Sequence, residues 1–251
     1  MDIKQKLNRT LADGARQDTA GDADEKSFYE RVAANYARME GAIAVLSDMR
    51  ENTSSIYYGC FARTLGIGDK AGADRLTSIW EDSLLRLVHP DDLQDKYLQE
   101  LQFFGFILRQ RPAVRSRYHL ESELRMRDHA GNYLAVRHRM FYILSPKSAR
   151  PWLALCLYQP MPTRLTAKAV IVSSGDGHTT EIGNGDTAAL LSARERQVLQ
   201  LIAEGLTSKE IASRLCISQY TVSRHRQNIL LRLNVKNSAG AIRVAKGLKL
   251  F

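Results

Sequence analysis

Residues 191–233 read LSARERQVLQLIAEGLTSKEIASRLCISQYTVSRHRQNILLRL, and this stretch decides the fold of the C-terminal part of the chain. It holds three helix-start signals, each followed by an amphipathic run, with connections too short for anything but closely packed helices. Ser192 and Glu195 form a capping box, in which the hydroxyl accepts one backbone amide and the carboxylate accepts the other. Thr207 and Glu210 form a second one. The sequence therefore predicts one helix that begins after residue 192 and another that begins after residue 207.

The three predicted helices differ in length. The first is predicted to end at Gly205, because glycine suits the left-handed conformation of a C-cap. The second is short and ends near Leu215, and Ser218 then offers an N-cap for a third, longer helix. Its buried stripe consists of Val222, Ile229 and Leu233. A helix, a tight turn and a second helix are typical of DNA-binding proteins in which the later helix enters the major groove.

The outward face of the third helix carries the predicted DNA contacts. With Val222 at the centre of the buried stripe, a rotation of about 100° per residue points four side chains away from the core. They are Tyr220, Ser223, Arg224 and Gln227. Arg can hold guanine, and Gln can hold adenine, with two hydrogen bonds each. We therefore predict base reading by Ser223, Arg224 and Gln227. Cations and hydroxyls nearer the rims are predicted to hold phosphates. They are Lys209, Tyr220, Thr221, Arg226, Arg232 and Lys236.

The positive charge of the chain is concentrated in the same region. Residues 191–251 contain 11 Lys and Arg against 3 Asp and Glu, a net charge of +8, while the whole chain carries +9. A charge confined to one quarter of the chain indicates a polyanion partner more strongly than an evenly spread charge would. Double-stranded DNA is therefore the expected partner.

These residues resemble the LuxR-type, also called GerE/FixJ-type, helix-turn-helix of bacterial transcription regulators. The matching positions are Leu191, Arg194, Glu195, Ile202, Gly205, Ser208, Lys209, Glu210, Ile211, Ala212, Leu215, Ile217, Ser218, Thr221, Val222, His225, Asn228, Ile229, Leu233 and Val235. The resemblance implies a four-helix domain whose third helix reads DNA. It also implies that the fourth helix, about residues 237–246, supplies a dimer contact through Ala241, Ile242 and Ala245. A homodimer would read a pseudo-palindromic operator. Ser223 stands where the family often has Lys.

Length and composition leave room for a second domain. With 251 residues and 44% apolar content, roughly 120 to 150 residues remain beside a helical module of about 60. The longest apolar runs are far shorter than the roughly 20 residues of a membrane helix, and the N-terminus has no secretory signal. We therefore expect a cytoplasmic protein with no membrane partner. Cys60, Cys156 and Cys216 are odd in number and widely separated, which argues against disulfides and against a metal cluster.

The N-terminal residues are predicted to form a polar arm followed by an amphipathic helix from about Glu25 to Gly41. The apolar stripe of this helix is predicted to consist of Phe28, Val32, Tyr36 and Met39. This stripe must cover either the face of a sheet or a second copy of the chain.

The middle of the chain is typical of an antiparallel sheet with inserted helices. Short apolar runs predict a hairpin, alternating patterns predict two half-buried strands, and a run that is apolar on both faces predicts a central strand. In chain order these are strands at 42–48 and 56–59, helices at 61–65, 79–88 and 91–106, and strands at 118–128, 133–143 and 152–158. Residues 168–173 and 179–182 predict a further hairpin, which packs either on this sheet or on a dimer partner.

This order of elements resembles a PAS domain, as do His89-Pro90-Asp91-Asp92 before a helix and the turn between Arg127 and Tyr133. The resemblance implies a sensor or interaction domain that holds a small-molecule effector and often dimerises. The predicted fold class is therefore α+β, with an N-terminal PAS-like antiparallel sheet with helices and a C-terminal all-α four-helix helix-turn-helix domain. The predicted divisions are 1–41 (arm and amphipathic helix), 42–163 (PAS-like), 164–188 (hairpin and linker) and 189–251 (DNA-binding).

The sequence carries no G-x-S-x-G, H-E-x-x-H or Walker A motif, so we expect no catalytic site, no cofactor and no metal. His138 lies on the core side of its strand and is predicted to be a satisfied buried histidine rather than a ligand contact. His89 is expected to have a capping or loop role rather than to bind haem. Three alternatives stay open. They are a sigma-factor-like promoter-recognition subunit, a phospho-receiver or acyl-homoserine-lactone domain in front of the helical module, and a haem or flavin sensor with chemistry in its middle domain. RNA polymerase is a further candidate partner.

Overall fold

The computed structural model describes residues 23–68, 73–161, 165, 167–182, 191–233 and 237–247. Most of the predicted polar arm and the second half of the predicted linker lie outside these residues. The N-terminal helices are α1 (Ala23–Glu40), α2 (Phe61–Thr64), α3 (Asp82–Leu85) and α4 (Pro90–Arg109), with a short 3₁₀ turn at Pro112–Arg117. The strands are β1 (Ile43–Asp48), β2 (Thr53–Tyr58), β3 (Ala73–Leu76), β4 (Tyr118–Arg127), β5 (Tyr133–Leu144), β6 (Pro151–Pro160), β7 (Ala169–Ser173) and β8 (Thr179–Glu181). Among the described helices, none has both the length and the apolar character to cross a membrane.

The strands of the described residues form one antiparallel sheet in the order β3-β2-β1-β6-β5-β4-β7-β8. β6 pairs with β1 on one side and with β5 on the other, so the predicted central strand is confirmed. The β7–β8 hairpin continues the sheet because β7 pairs with β4. The hairpin was predicted to pack either on this sheet or on a dimer partner, and it joins the sheet. With helices beside the sheet and a separate helical C-terminal region, the α+β prediction is confirmed.

Two segments between β2 and α4 differ from the prediction. β3 pairs with β2 although no strand was predicted there, because its largely exposed side chains give no alternating apolar signal. The helix predicted at 79–88 shrinks to the four residues of α3. Residues 87–89 instead pair with β4, where the Arg127 amide donates to the Leu87 carbonyl and the His89 amide donates to the Arg125 carbonyl, each at 2.8 Å. These sheet hydrogen bonds end the helix early.

Helix α1 covers one face of the sheet, but with a different side from the one predicted. Its buried contacts with β1 and β6 come from Ala33 and Ala37, flanked by Tyr29 and Val32. The predicted stripe was wrong for its other three members. Phe28, Tyr36 and Met39 are 51%, 37% and 84% exposed. Small alanine side chains let the helix backbone lie close to the sheet, which large side chains would prevent.

Two ion pairs fix the rotation of α1 about its axis. Near its start, Lys26 Nζ lies 2.8 Å from a carboxylate oxygen of Asp48, which is buried at the end of β1. At its end, Glu40 pairs with Arg139 of β5. With both ends held, the alanine side of the helix faces the sheet.

Helix α4 covers the opposite face and begins at the predicted His-Pro-Asp-Asp motif. The ring of His89 accepts a hydrogen bond from the Asp91 amide at 3.3 Å, so its predicted capping role is confirmed. The buried Asp92 carboxylate accepts three hydrogen bonds from Arg125 of β4, from the backbone amide, Nε and Nη2, each at 2.8 Å. Burial raises the pKa of Asp92, but these hydrogen bonds more than offset that effect and hold the pKa below its usual value.

We predict that Arg125→Ala lowers the urea midpoint of unfolding at neutral pH. A carboxyl whose pKa is lowered by folding contributes stability above its unfolded pKa of about 3.9 and loses that contribution as the pH falls through its folded pKa. The difference between wild type and variant should therefore narrow below about pH 4. Arg127→Ala, two residues along the same strand with an exposed side chain, is the control. A difference that stays constant across this range would contradict the assignment.

Candidate nucleic-acid interface

The C-terminal helical region, residues 191–233 and 237–247, contains α5 (Ala193–Ala203), α6 (Ser208–Leu215), α7 (Gln219–Arg232) and α8 (Ser238–Gly247). Both predicted capping boxes are confirmed. At the first, the Ser192 amide donates to Glu195 Oε2 at 2.8 Å and the Glu195 amide donates to Ser192 Oγ at 3.2 Å. Gly205 adopts a φ of +92° after α5, as the predicted C-cap requires. The local sequence signals thus set the boundaries of α5 and the start of α6.

The buried stripe of α7 holds the region together. Val222 and Ile229 of α7, and Leu233 directly after its end, are at most 1% exposed, and α7 packs against α5 and α6. Their neighbours in the core include Leu191, Val198, Leu199 and Ile211. Because one side of α7 is buried in this way, the opposite side must face solvent.

The outward face of α7 carries the side chains that the sequence placed there. Ser223, Arg224 and Gln227 are exposed, and Tyr220 is 79% exposed. Ser218 caps the helix by accepting the Thr221 amide at 3.0 Å. The exposure of the predicted base readers is confirmed, and they form a polar face on the side of α7 opposite its buried stripe.

The six residues predicted to contact phosphates differ in how exposed their side chains are. Lys209 and Tyr220 are exposed, whereas Thr221 is half-buried and its hydroxyl lies 2.8 Å from Ser218 Oγ. Arg226 is half-buried and reaches across the helices, because its guanidinium donates to Ser208 Oγ at 2.8 Å and to Ser238 Oγ at 3.3 Å. This brace between α6, α7 and α8 was missed by sequence reasoning, since it depends on where three helices meet. The Arg232 side chain and Lys236 lie outside the described residues.

The fourth helix requires a correction. Ala241 and Ala245, which were predicted to supply the dimer contact, are 1% and 0% exposed and belong to the core of the chain itself. A buried methyl group cannot contact a partner chain, so the prediction was wrong for these two positions. Ile242 is half-buried, so of the three predicted residues it alone remains a candidate for the dimer contact.

His138 of β5 is buried, as predicted, but only one of its ring nitrogens has a hydrogen-bond partner. Nδ1 lies 3.1 Å from Ser122 Oγ of the neighbouring strand, while Nε2 makes no hydrogen bond. The prediction of a satisfied histidine was therefore right for one nitrogen and wrong for the other.

Comparison with known proteins bears directly on the helical region. The family of bacterial regulatory proteins, luxR family (GerE), matches residues 189–245. The spore germination protein GerE of Bacillus subtilis (strain 168) is 45% identical over 53 residues, which are 21% of this chain and 72% of that protein. The chain belongs to the LuxR family. The Staphylococcus haemolyticus oxygen regulatory protein NreC is 32% identical over 87 residues, 35% of this chain and 40% of that protein.

The LuxR-family match covers the C-terminal part of the chain. The chain spans 40% of NreC and 37% of the Escherichia coli response regulatory protein YgeK, well under two thirds of either relative. Among solved structures, a phage VqmA–DPO complex aligns over 90% of this chain and 92% of its own, with 15% sequence identity and a TM-score of 0.29.

Within this LuxR-family region, the exposed Arg224 and the half-buried Arg226 of α7 should contribute differently to the free energy of unfolding. We predict that Arg226→Ala lowers the free energy of unfolding by about 1 to 3 kcal/mol, because it removes charge-assisted hydrogen bonds that tie three helices together. Arg224→Ala should change it by less than about 0.5 kcal/mol, as is usual for an exposed side chain. Urea unfolding followed by circular dichroism measures both. Equal losses in the two variants would contradict the bracing role of Arg226.

Proposed function

We propose that the protein is a cytoplasmic, homodimeric transcription regulator that reads double-stranded DNA in the major groove with α7. A domain formed by the N-terminal sheet controls it in response to a signal. The family of residues 189–245 supports regulation of transcription. One observation carries the assignment of the reading surface, namely that Ser223, Arg224 and Gln227 lie exposed on the side of α7 opposite its buried stripe.

Charge and shape fit a duplex partner. An α-helix fits the major groove, where Arg and Gln side chains can form paired hydrogen bonds to guanine and adenine. Lys209 is exposed at the start of α6, where a cation is suited to hold a phosphate without reading the sequence. We assign base reading to Ser223, Arg224 and Gln227, and phosphate binding to Lys209 and Tyr220. Thr221, Arg226, Arg232 and Lys236 stay in the proposed phosphate set, with Arg226 also serving as a brace.

For the N-terminal sheet we propose a PAS-like sensory or dimerisation domain over residues 42–163. Its support is the strand order, in which β2, β1, β6, β5 and β4 lie side by side with helices inserted between β2 and β4. The 164–188 segment would pass orientation to the DNA-binding domain, since its hairpin extends the same sheet. A small-molecule effector and RNA polymerase remain candidate partners. A sigma-factor-like subunit is disfavoured, because the described strands between residues 43 and 181 form an eight-stranded sheet, whereas a promoter-melting domain is helical.

The base-reading assignment predicts different losses at two positions. Arg224→Ala should cost about 1 to 3 kcal/mol of binding free energy and relax the preference at one base pair. Lys209→Ala should weaken all duplexes similarly and reduce the slope of log affinity against log salt by about one. Fluorescence anisotropy with an operator selected from random duplexes, and with single-base variants of it, measures both effects at two salt concentrations.

Arg63→Ala is the matched control, because it removes one exposed positive charge from α2, outside the helical region. It should leave both the affinity and the salt slope unchanged. A uniform loss across all duplexes from Arg224→Ala would make this residue a phosphate contact and contradict base reading.

A two-fold dimer predicts a fixed spacing between half-sites, about 10 base pairs from centre to centre or a multiple of that. Inserting five base pairs between the selected half-sites places them on opposite faces of the duplex. Affinity should then fall to that of a single half-site, whereas inserting ten should restore part of it. Native mass spectrometry should report two chains on the uninterrupted operator. One chain per operator, or indifference to the insertion, would contradict the dimer.

A further inference from the structure

Three side chains with metal-binding atoms meet in the core between α4 and the N-terminal sheet, although they are far apart in sequence. Glu100 comes from α4, His138 from β5 and Cys156 from β6, and one ligand atom of each lies within 4.8 Å of the others. They are 4%, 0% and 7% exposed. The fold thus brings together an oxygen, a nitrogen and a sulfur donor that no sequence spacing connects.

An unsatisfied buried nitrogen points into this cluster. His138 Nε2 makes no hydrogen bond and lies 3.9 Å from Glu100 Oε1, while Ser122 holds Nδ1. The hydroxyl of Tyr142, four residues along β5 and on the same face, also makes no hydrogen bond. A buried polar atom without a partner is costly, and native proteins rarely keep one without a water, an ion or a ligand to satisfy it.

The charges around the cluster favour a cation. Lys96 pairs with Glu100 at 2.5 Å, and Glu81 accepts a hydrogen bond from Tyr158 at 2.9 Å, all in the interior. Two carboxylates therefore face one ammonium group. A metal ion binds neutral imidazole and thiolate, so it would take the place of the thiol proton of Cys156.

The space beside two of these donors, Glu100 and Cys156, is suited to a single ion. A cavity of about 30 Å³ borders Glu100 and Cys156, with Lys96 and Glu81 also in its wall. A cavity needs roughly 10 to 15 Å³ of such volume to hold one water molecule. This cavity therefore has room for an ion and a water, but not for a haem or a flavin.

We propose that Glu100, His138 and Cys156 bind one divalent transition-metal ion of the zinc type. Nitrogen and sulfur donors favour such an ion over magnesium or calcium, which prefer oxygen. Bonds of about 2.0 to 2.3 Å around a tetrahedral ion require the three ligand atoms to approach by about 1 Å from their present separation. The fourth position falls to a water molecule. Ser122 is a positioning residue, because its hydroxyl orients the His138 ring so that Nε2 faces the site.

Cobalt provides the test, because a thiolate bound to Co²⁺ gives a charge-transfer absorption band in the near ultraviolet. The untagged full chain is stripped with a chelator and titrated with CoCl₂. In the double variant Cys60→Ser/Cys216→Ser, Cys156 is the sole cysteine, and both substituted thiols are exposed, so the core is undisturbed. We expect this variant to develop the band with an end point of one cobalt per chain and to lose it when ZnCl₂ is added.

Substitutions in the same double variant identify the other ligands. His138→Gln and Glu100→Gln should each weaken cobalt binding at least tenfold, and Ser122→Ala should weaken it about 10- to 100-fold, as expected for a group that orients a ligand. His119→Gln is the control, because this histidine pairs with Glu121 on β4, away from the cluster, and it should bind cobalt as before. Circular dichroism of each variant without metal separates lost ligation from lost folding.

Absence of the band in the Cys60→Ser/Cys216→Ser protein would overturn the proposal without any core substitution. Full-strength binding by His138→Gln would overturn it as well. Neither result would affect the proposed DNA recognition, since affinity for the selected operator is measured separately on the same preparations.

Discussion

Burial of Val222 and Ile229 along one side of α7, and of Leu233 directly after its end, is the constraint on which the proposed DNA interface depends. Because these three side chains fill the core between α5 and α6, the helix cannot rotate without exposing them. Burying a side chain of this size is worth about 1.5 to 3 kcal/mol, so together they outweigh anything that the polar face could gain by turning inward. Arg224 and Gln227 are therefore presented to solvent before any DNA arrives, and recognition costs the helix little reordering.

The second constraint is that β6 is buried on both faces. Its apolar sequence predicted a central strand, and the sheet places it between β1 and β5 with α1 on one face and α4 on the other. What the sequence could not predict is which side of α1 would make the contact. Counting large apolar residues selected Phe28, Tyr36 and Met39, yet Ala33 and Ala37 lie against the sheet. Hydropathy measures the gain from leaving water, whereas close packing also depends on how near two backbones can approach.

In the candidate interface, features that depend on residues close in sequence could be predicted, whereas features that depend on contacts between distant residues could not. Capping boxes involve residues three apart, so Ser192, Glu195, Thr207 and Glu210 could be assigned from sequence alone. The exposed face of α7 followed from helical periodicity. By contrast, the brace that Arg226 makes to Ser208 and Ser238, and the inward orientation of Ala241 and Ala245, depend on how helices distant in sequence pack together. A positive charge and a small residue look alike in sequence whether they face a partner or the core.

The cluster of Glu100, His138 and Cys156 could not be predicted from the sequence. His138 could be placed in the core by alternation, but its neighbours Glu100 and Cys156 come from other elements, and the spacing of the cysteines argued against a metal. Polar and charged groups in a core give up stability, because a well-packed apolar set of similar volume is often as stable or more so. The contact between Lys96 and Glu100 offsets part of that loss of stability, whereas Nε2 of His138 has no hydrogen bond to offset its burial. A conflict of this kind between local chemistry and the needs of the core is expected at functional sites, and a bound cation would remove it by supplying the missing partner.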